Sequence, residues 1–102
     1  MIVGSNTGGN IEFYTINGTF ASSTAWTDYY SLPSSWTNLD KVVIVSFDWY
    51  YSGSEGWRSG YAVGGNSFMR AFIDLNASGL RGYSNNSIYY STPFRVVLAY
   101  LK

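Results

Sequence analysis

Residues 42–51 constrain this chain more than any other segment. Val43, Val45, Phe47, Trp49 and Tyr51 form one apolar row, while Val42 and Ile44 open a second row that turns polar at Ser46 and Asp48. A repeat of two is the spacing of a strand, in which successive side chains leave on opposite faces; a helix repeats near 3.6. β-branched and aromatic residues also suit a pleated, half-buried surface. Shorter alternating runs follow the same rule at residues 11–16, 57–63, 68–75, 80–83 and 87–90, and residues 94–101 are apolar on both faces apart from Arg95. That last run reads as a central strand. No helix-period stripe competes.

Turn chemistry separates the runs. Asn17-Gly18 predicts a type I′ hairpin, because both residue types accept positive φ. Residues 52–56 make a polar loop, Gly64-Gly65-Asn66 and residues 76–79 make further turns, and Ser84-Asn85-Asn86 makes a polar tip. Pro93 marks an edge or a break. Short strands with turn signals at about 8–12-residue spacing predict an all-β fold, a small antiparallel β-sandwich of jelly-roll type without significant helix. Val43, Val45, Phe47, Ile73 and Val96 are its expected core. The Gly/Asn-rich residues 1–10 read as a linker or loose lead, and residues 11–102 as one domain. Residues 22–38 lose their period and read as a long excursion, with a short strand near 28–32 and a turn after Pro33.

Composition excludes much chemistry. The chain has no histidine and no cysteine, which removes the commonest general base and the commonest metal ligands. Six basic residues balance six acidic ones, without the basic excess of a nucleic-acid binder. No apolar run reaches the roughly 18–20 residues of a membrane span, and the first residues lack the pattern of a signal peptide. Glu12, Asp28, Asp40, Asp48, Glu55 and Asp74 are the carboxylates, and no motif sets two of them face to face. No nucleophile elbow, phosphate-binding glycine loop or calcium loop occurs. The chain is therefore expected to be no enzyme and to need no cofactor or metal. Three Asn-x-Ser/Thr triplets, at Asn17, Asn76 and Asn85, read as turn chemistry.

Aromatic residues are the positive signal: ten Tyr, six Phe and four Trp, in a background of Gly, Ser and Asn. An exposed ring offers an apolar platform to the C–H face of a sugar, and a neighbouring amide or carboxylate orients the hydroxyls. Trp57 beside the 52–56 loop, Tyr83, Asn85 and Asn86 around the polar tip, and Trp26 and Trp36 in the excursion are the candidate ligand-binding residues. The competing reading packs these rings into the ends of a small sandwich or between subunits. Neutral net charge favours a neutral glycan, with Arg58 and Arg81 as local exceptions.

The end of the chain adds a resemblance. Tyr83-Ser84-Asn85-Asn86-Ser87 leads through Pro93 into Phe94-Arg95-Val96-Val97-Leu98-Ala99-Tyr100-Leu101-Lys102, a polar approach followed by Arg-Val-Val-Leu-x-Tyr-x-Lys. This resembles the C-termini of bacteriophage tail-fibre and related receptor-binding tip domains. Ser31-Leu32-Pro33-Ser34-Ser35-Trp36, running on to Val45, is similar to the Pro-bearing entry to a long strand in such tips. The resemblance implies a β-sandwich knob on the virion, commonly a homotrimer, that binds a bacterial cell-surface glycan or protein receptor outside the cell. It implies no particular binding residues. A structural oligomerisation cap, or a capsid-decorating domain without a ligand, is the alternative.

Overall fold

The computed structural model describes residues 10–52, 56–59 and 71–102. Six strands make up most of it: β1 (Ile11–Thr19), β2 (Val42–Ser52), β3 (Gly56–Ser59), β4 (Ala71–Asn76), β5 (Gly79–Ser84) and β6 (Pro93–Leu101). Among the described residues the helical pieces are two single 3-10 turns, Leu39–Lys41 and Ser87–Tyr89. The fold is all-β. A four-stranded antiparallel sheet has the order β1-β6-β2-β3, and β4 and β5 form a separate two-stranded ribbon. Most of the lead, the middle of the 52–56 loop, the end of the 57–63 run, the 64–66 turn and the start of the 68–75 run lie outside the described residues.

The last run is the central strand expected of it. Phe94, Val96, Leu98 and Tyr100 point to the core, with exposures of 1%, 0%, 0% and 7%. They join Ile16 from β1, Phe47 and Trp49 from β2, Leu80 from β5, and Phe20, Trp36 and Tyr89 from the connections, so one core serves both sheets. Phe94 sits at its centre, with ring centroids 4.7 Å from Phe20, 5.9 Å from Tyr30 and 6.2 Å from Phe47. Pro93 begins β6, a position where its missing N–H costs no ladder bond.

Three local expectations are corrected. Val43 and Val45 are 43% and 50% exposed and do not belong to the core. The cause is a β-bulge: Ile44 pairs with Leu98 and Ser46 with Val97, so Val45 is an extra residue without an opposite number. An inserted residue exchanges the faces of everything beyond it. Val42 and Ile44 therefore share the inner face with Phe47 and Trp49. Phe47 and Val96 are buried and Ile73 packs against the same cluster.

Asn17-Gly18 is not a turn. β1 runs straight through it, with Asn17 opposite Arg95 and Gly18 opposite Phe94. The glycine is needed because the Phe94 ring lies on it: a Cβ at Gly18 would meet ring atoms Cε1 and Cε2 at 2.8 Å. Finally, residues 87–89 form a 3-10 turn and not a strand. The Asn86 side chain caps it by accepting from Ile88 N at 3.2 Å.

The excursion is a strap along the ribbon. Thr27 N donates to Gly82 O at 2.8 Å, and Tyr30 and Leu80 exchange N–H···O bonds of 2.7 and 2.9 Å. Residues 26–30 thus dock as an irregular third strand beside β5. The turn expected after Pro33 is present, closed by Trp36 N donating to Pro33 O at 3.0 Å.

Candidate functional site

The outer face of the β4–β5 ribbon gathers exposed rings and polar side chains. Asn76 Oδ1 accepts from Ser78 N at 2.8 Å and helps turn the chain between the two strands. The resulting register sets Phe72 opposite Tyr83 and Asp74 opposite Arg81. Ala71, Ile73, Leu75 and Leu80 face the core, so alternation sends Phe72, Asp74, Asn76, Arg81 and Tyr83 outward. The strap then lays Trp26 and Tyr29 beside them.

Contacts join these side chains into a ledge. Tyr83 is 5.0 Å from the Trp26 ring and 6.1 Å from Phe72. The Arg81 guanidinium carbon stands 4.5 Å from the Trp26 centroid and 4.9 Å from that of Tyr29. Arg81 Nε donates to Asp74 Oδ2 at 3.1 Å, and Asn76 Nδ2 donates to the same oxygen at 3.2 Å and to the Tyr29 hydroxyl at 3.0 Å. Surface contacts of this kind are individually weak, about 0.5–1 kcal/mol each. Together they hold each polar head in a set orientation. Trp26 and Tyr29 are each 39% exposed and Phe72 is 46% exposed, so the rings keep apolar surface open to solvent. Beside them lies an open depression of about 520 Å³, lined by Thr19, Ser22, Trp26, Asp28, Tyr29 and Tyr30.

The six residues singled out in the sequence go to different places. Trp26 and Tyr83 meet on the ledge. Trp57 lies apart, on β3, with Tyr50 at 5.8 Å and the Arg95 guanidinium 4.2 Å from its centroid. Arg95 is tied in turn to Asp48 at 3.3 Å. Trp36 is in the core at 7% exposure, stacked on Tyr100 at 5.1 Å and donating from Nε1 to Glu12 at 2.8 Å; it is no loop platform. Asn85 is exposed, whereas the Asn86 amide oxygen is committed to capping Ile88 N.

Phe72, Asp74, Asn76 and Arg81 were not assembled into a site from the sequence. The signal for them was present: a two-residue link at Ala77-Ser78 sets the cross-strand pairs on either side of it. Among the described residues, no group of three or more carboxylates is placed to hold a metal ion.

A second surface is mostly apolar and is bounded on the same face by Thr15 and the Asp48–Arg95 pair. The outer face of the larger sheet exposes Ile11 at 47%, Phe13 at 66%, Val43 at 43%, Val45 at 50% and Leu101 at 44%. Cross-strand pairing joins them: Ile11 opposes Leu101, and Phe13 and Val43 flank Ala99. Two surfaces of different chemistry therefore stand on different sheets. No protein-family model, curated protein or solved structure matches this chain.

Proposed function

We propose that this chain is a binding module, the host-surface receptor-binding tip of a bacteriophage tail fibre, which takes bacterial cell-surface saccharide on the Trp26–Tyr29–Arg81–Tyr83–Phe72 ledge. The observation that carries the reading is the ledge itself: three half-open rings with an oriented carboxylate, guanidinium and amide among them. Rings take the C–H face of a pyranose, and the polar heads take its hydroxyls. Such a shallow site binds weakly and gains strength when several copies engage one surface. The reading assigns binding and no catalysis. It places the module on the virion, outside the host cell.

Trp26→Ala is the direct test. Loss of one platform ring should weaken binding to host cells or to an immobilised glycan array by about tenfold, roughly 1.4 kcal/mol. Trp26→Phe should retain most of the binding. Melting and near-ultraviolet circular dichroism establish that both variants stay folded. A folded Trp26→Ala variant that binds like the parent would overturn the ledge as the site.

The exposed sheet face supports self-association, as a homotrimer in this reading. It also favours the second function, a structural oligomerisation cap or capsid-decorating domain that carries no ligand. Contiguous apolar surface of this kind marks an interface more often than a free surface. Light scattering should find the parent trimeric at micromolar concentration and Phe13→Lys monomeric. A monomeric parent would refute the trimer. A trimer that binds no glycan would favour the cap.

A further inference from the structure

We infer that the ledge accepts a neutral saccharide, reads two neighbouring hydroxyls of it with the Asp74–Arg81 pair, and discriminates against uronates and other acidic sugars. The inference rests on the saccharide reading above and names the class of sugar within it.

The bonding pattern of the pair is one-sided. Arg81 Nε and Asn76 Nδ2 both donate to Asp74 Oδ2, at 3.1 and 3.2 Å. Asp74 Oδ1 accepts no hydrogen bond from a described residue, and the terminal nitrogens of Arg81 donate none to one. Toward the described residues, the spare capacity is therefore one acceptor and a set of donors on two side chains already in contact. The Trp26 and Tyr29 rings hold the guanidinium, so it pays little extra ordering cost on binding. Both side chains keep part of their surface open, 30% for Arg81 and 36% for Asp74.

A hydroxyl both donates and accepts, whereas a carboxylate only accepts. Two adjacent sugar hydroxyls can satisfy the pair together: one donates to Asp74 Oδ1 and its neighbour accepts from Arg81. A carboxylate seated on the pair can use Arg81 alone and leaves the acceptor at Asp74 without a donor. Where a uronate seats its ring hydroxyls there instead, it is the charge that discriminates. The charge balance acts in the same direction. Asp74 already neutralises Arg81, and Asp28 lines the depression beside Trp26 and Tyr29. Among the described residues the ledge thus offers no net positive field to an anion.

The experiment uses the whole chain against matched multivalent probes: methyl glucoside, galactoside and mannoside units, each displayed beside its 6-carboxylate counterpart. At least one neutral member should bind, at about fivefold or more over its own uronate at low salt. Asp74→Asn keeps the shape and removes the charge, so it should shrink that ratio towards one. Asp28→Asn, on an exposed side chain, should raise uronate binding relative to the neutral member. Should Asp74→Asn fail to fold, Asp28→Asn still reads the charge argument. Uronates that bind the parent as well as the neutral sugars would overturn the inference and leave the saccharide reading standing. A ratio that neither variant moves would overturn it as well. No binding to any member of either set would refute the saccharide reading itself.

Discussion

Phe94→Ala will lower the stability of the fold by about 3–5 kcal/mol, a large share of the roughly 5–15 kcal/mol available to a domain. The ring is 1% exposed and packs against Phe20, Tyr30 and Phe47. It also covers two glycines from opposite sheets, Gly18 on β1 and Gly82 on β5. Neither glycine has a side chain to move into the vacated space, so the cavity stays open and its full cost is felt. Phe94→Leu fills part of it and should cost less than half as much. Equilibrium denaturation in urea measures both. A Phe94→Ala midpoint equal to that of the parent would mean that the two sheets do not share this core.

The second large effect is expected at Gly79. Its φ is +126°, a region that residues with a Cβ rarely enter, and a Cβ there would press on the carbonyl oxygen of Tyr30. The obstacle is backbone, so it cannot rotate away. Gly79→Ala should cost about 1–3 kcal/mol in dihedral strain and about 1 kcal/mol more for each Tyr30–Leu80 hydrogen bond that yields. Relief comes only by lifting the strap from β5. Trp26 and Tyr29 ride on that strap, so saccharide binding should fall further in Gly79→Ala than the loss of stability alone explains. Gly56→Ala is the control: φ is +72° there with nothing within 4 Å of the Cβ position, which leaves the dihedral term by itself. Similar denaturation midpoints for the two variants would remove the strap contact from the account.

The readable parts of this molecule were those where one local rule acts alone. Two-faced apolarity identifies residues 94–101 as a central strand, and β6 does lie between β1 and β2, although only its Phe94–Tyr100 row is buried against the core and the other row ends on the exposed Leu101. The ribbon turn at residues 76–79 was equally legible, since Asn and Gly serve there as turn formers. Val43 and Val45 were misplaced because a bulge leaves no mark in a hydrophobic pattern: valine at the inserted position looks like valine in register. Asn17-Gly18 misled for a different reason. The glycine answers to a ring that arrives from Phe94, far along the chain, and a short window of sequence holds no trace of it. The ledge fell between these cases. Its rings were visible singly, but Trp26 reaches Tyr83 only through backbone bonds between an aperiodic strap and β5, and aperiodic segments carry no register to read. Trp36, in the same excursion, has an identical local signature and yet lies in the core.

The position of β6 has a consequence for how the chain is made. Among the described strands, β1 pairs with β6 alone, while β2 reaches β1 only through β6. The middle of the sheet is therefore synthesised last. Until residues 93–101 have left the ribosome, β1 carries Ile11 and Phe13 with neither edge paired, and β2 lacks the neighbour it shares with β1. Contacts that bridge the length of a chain are slow to close and leave strand edges open to wrong partners meanwhile. Assembly of the sheet thus waits for β6, and until it arrives the edges of β1 and β2 are open to a holding chaperone. Removing residues 93–101 would not shorten the sheet from its rim but take out its middle.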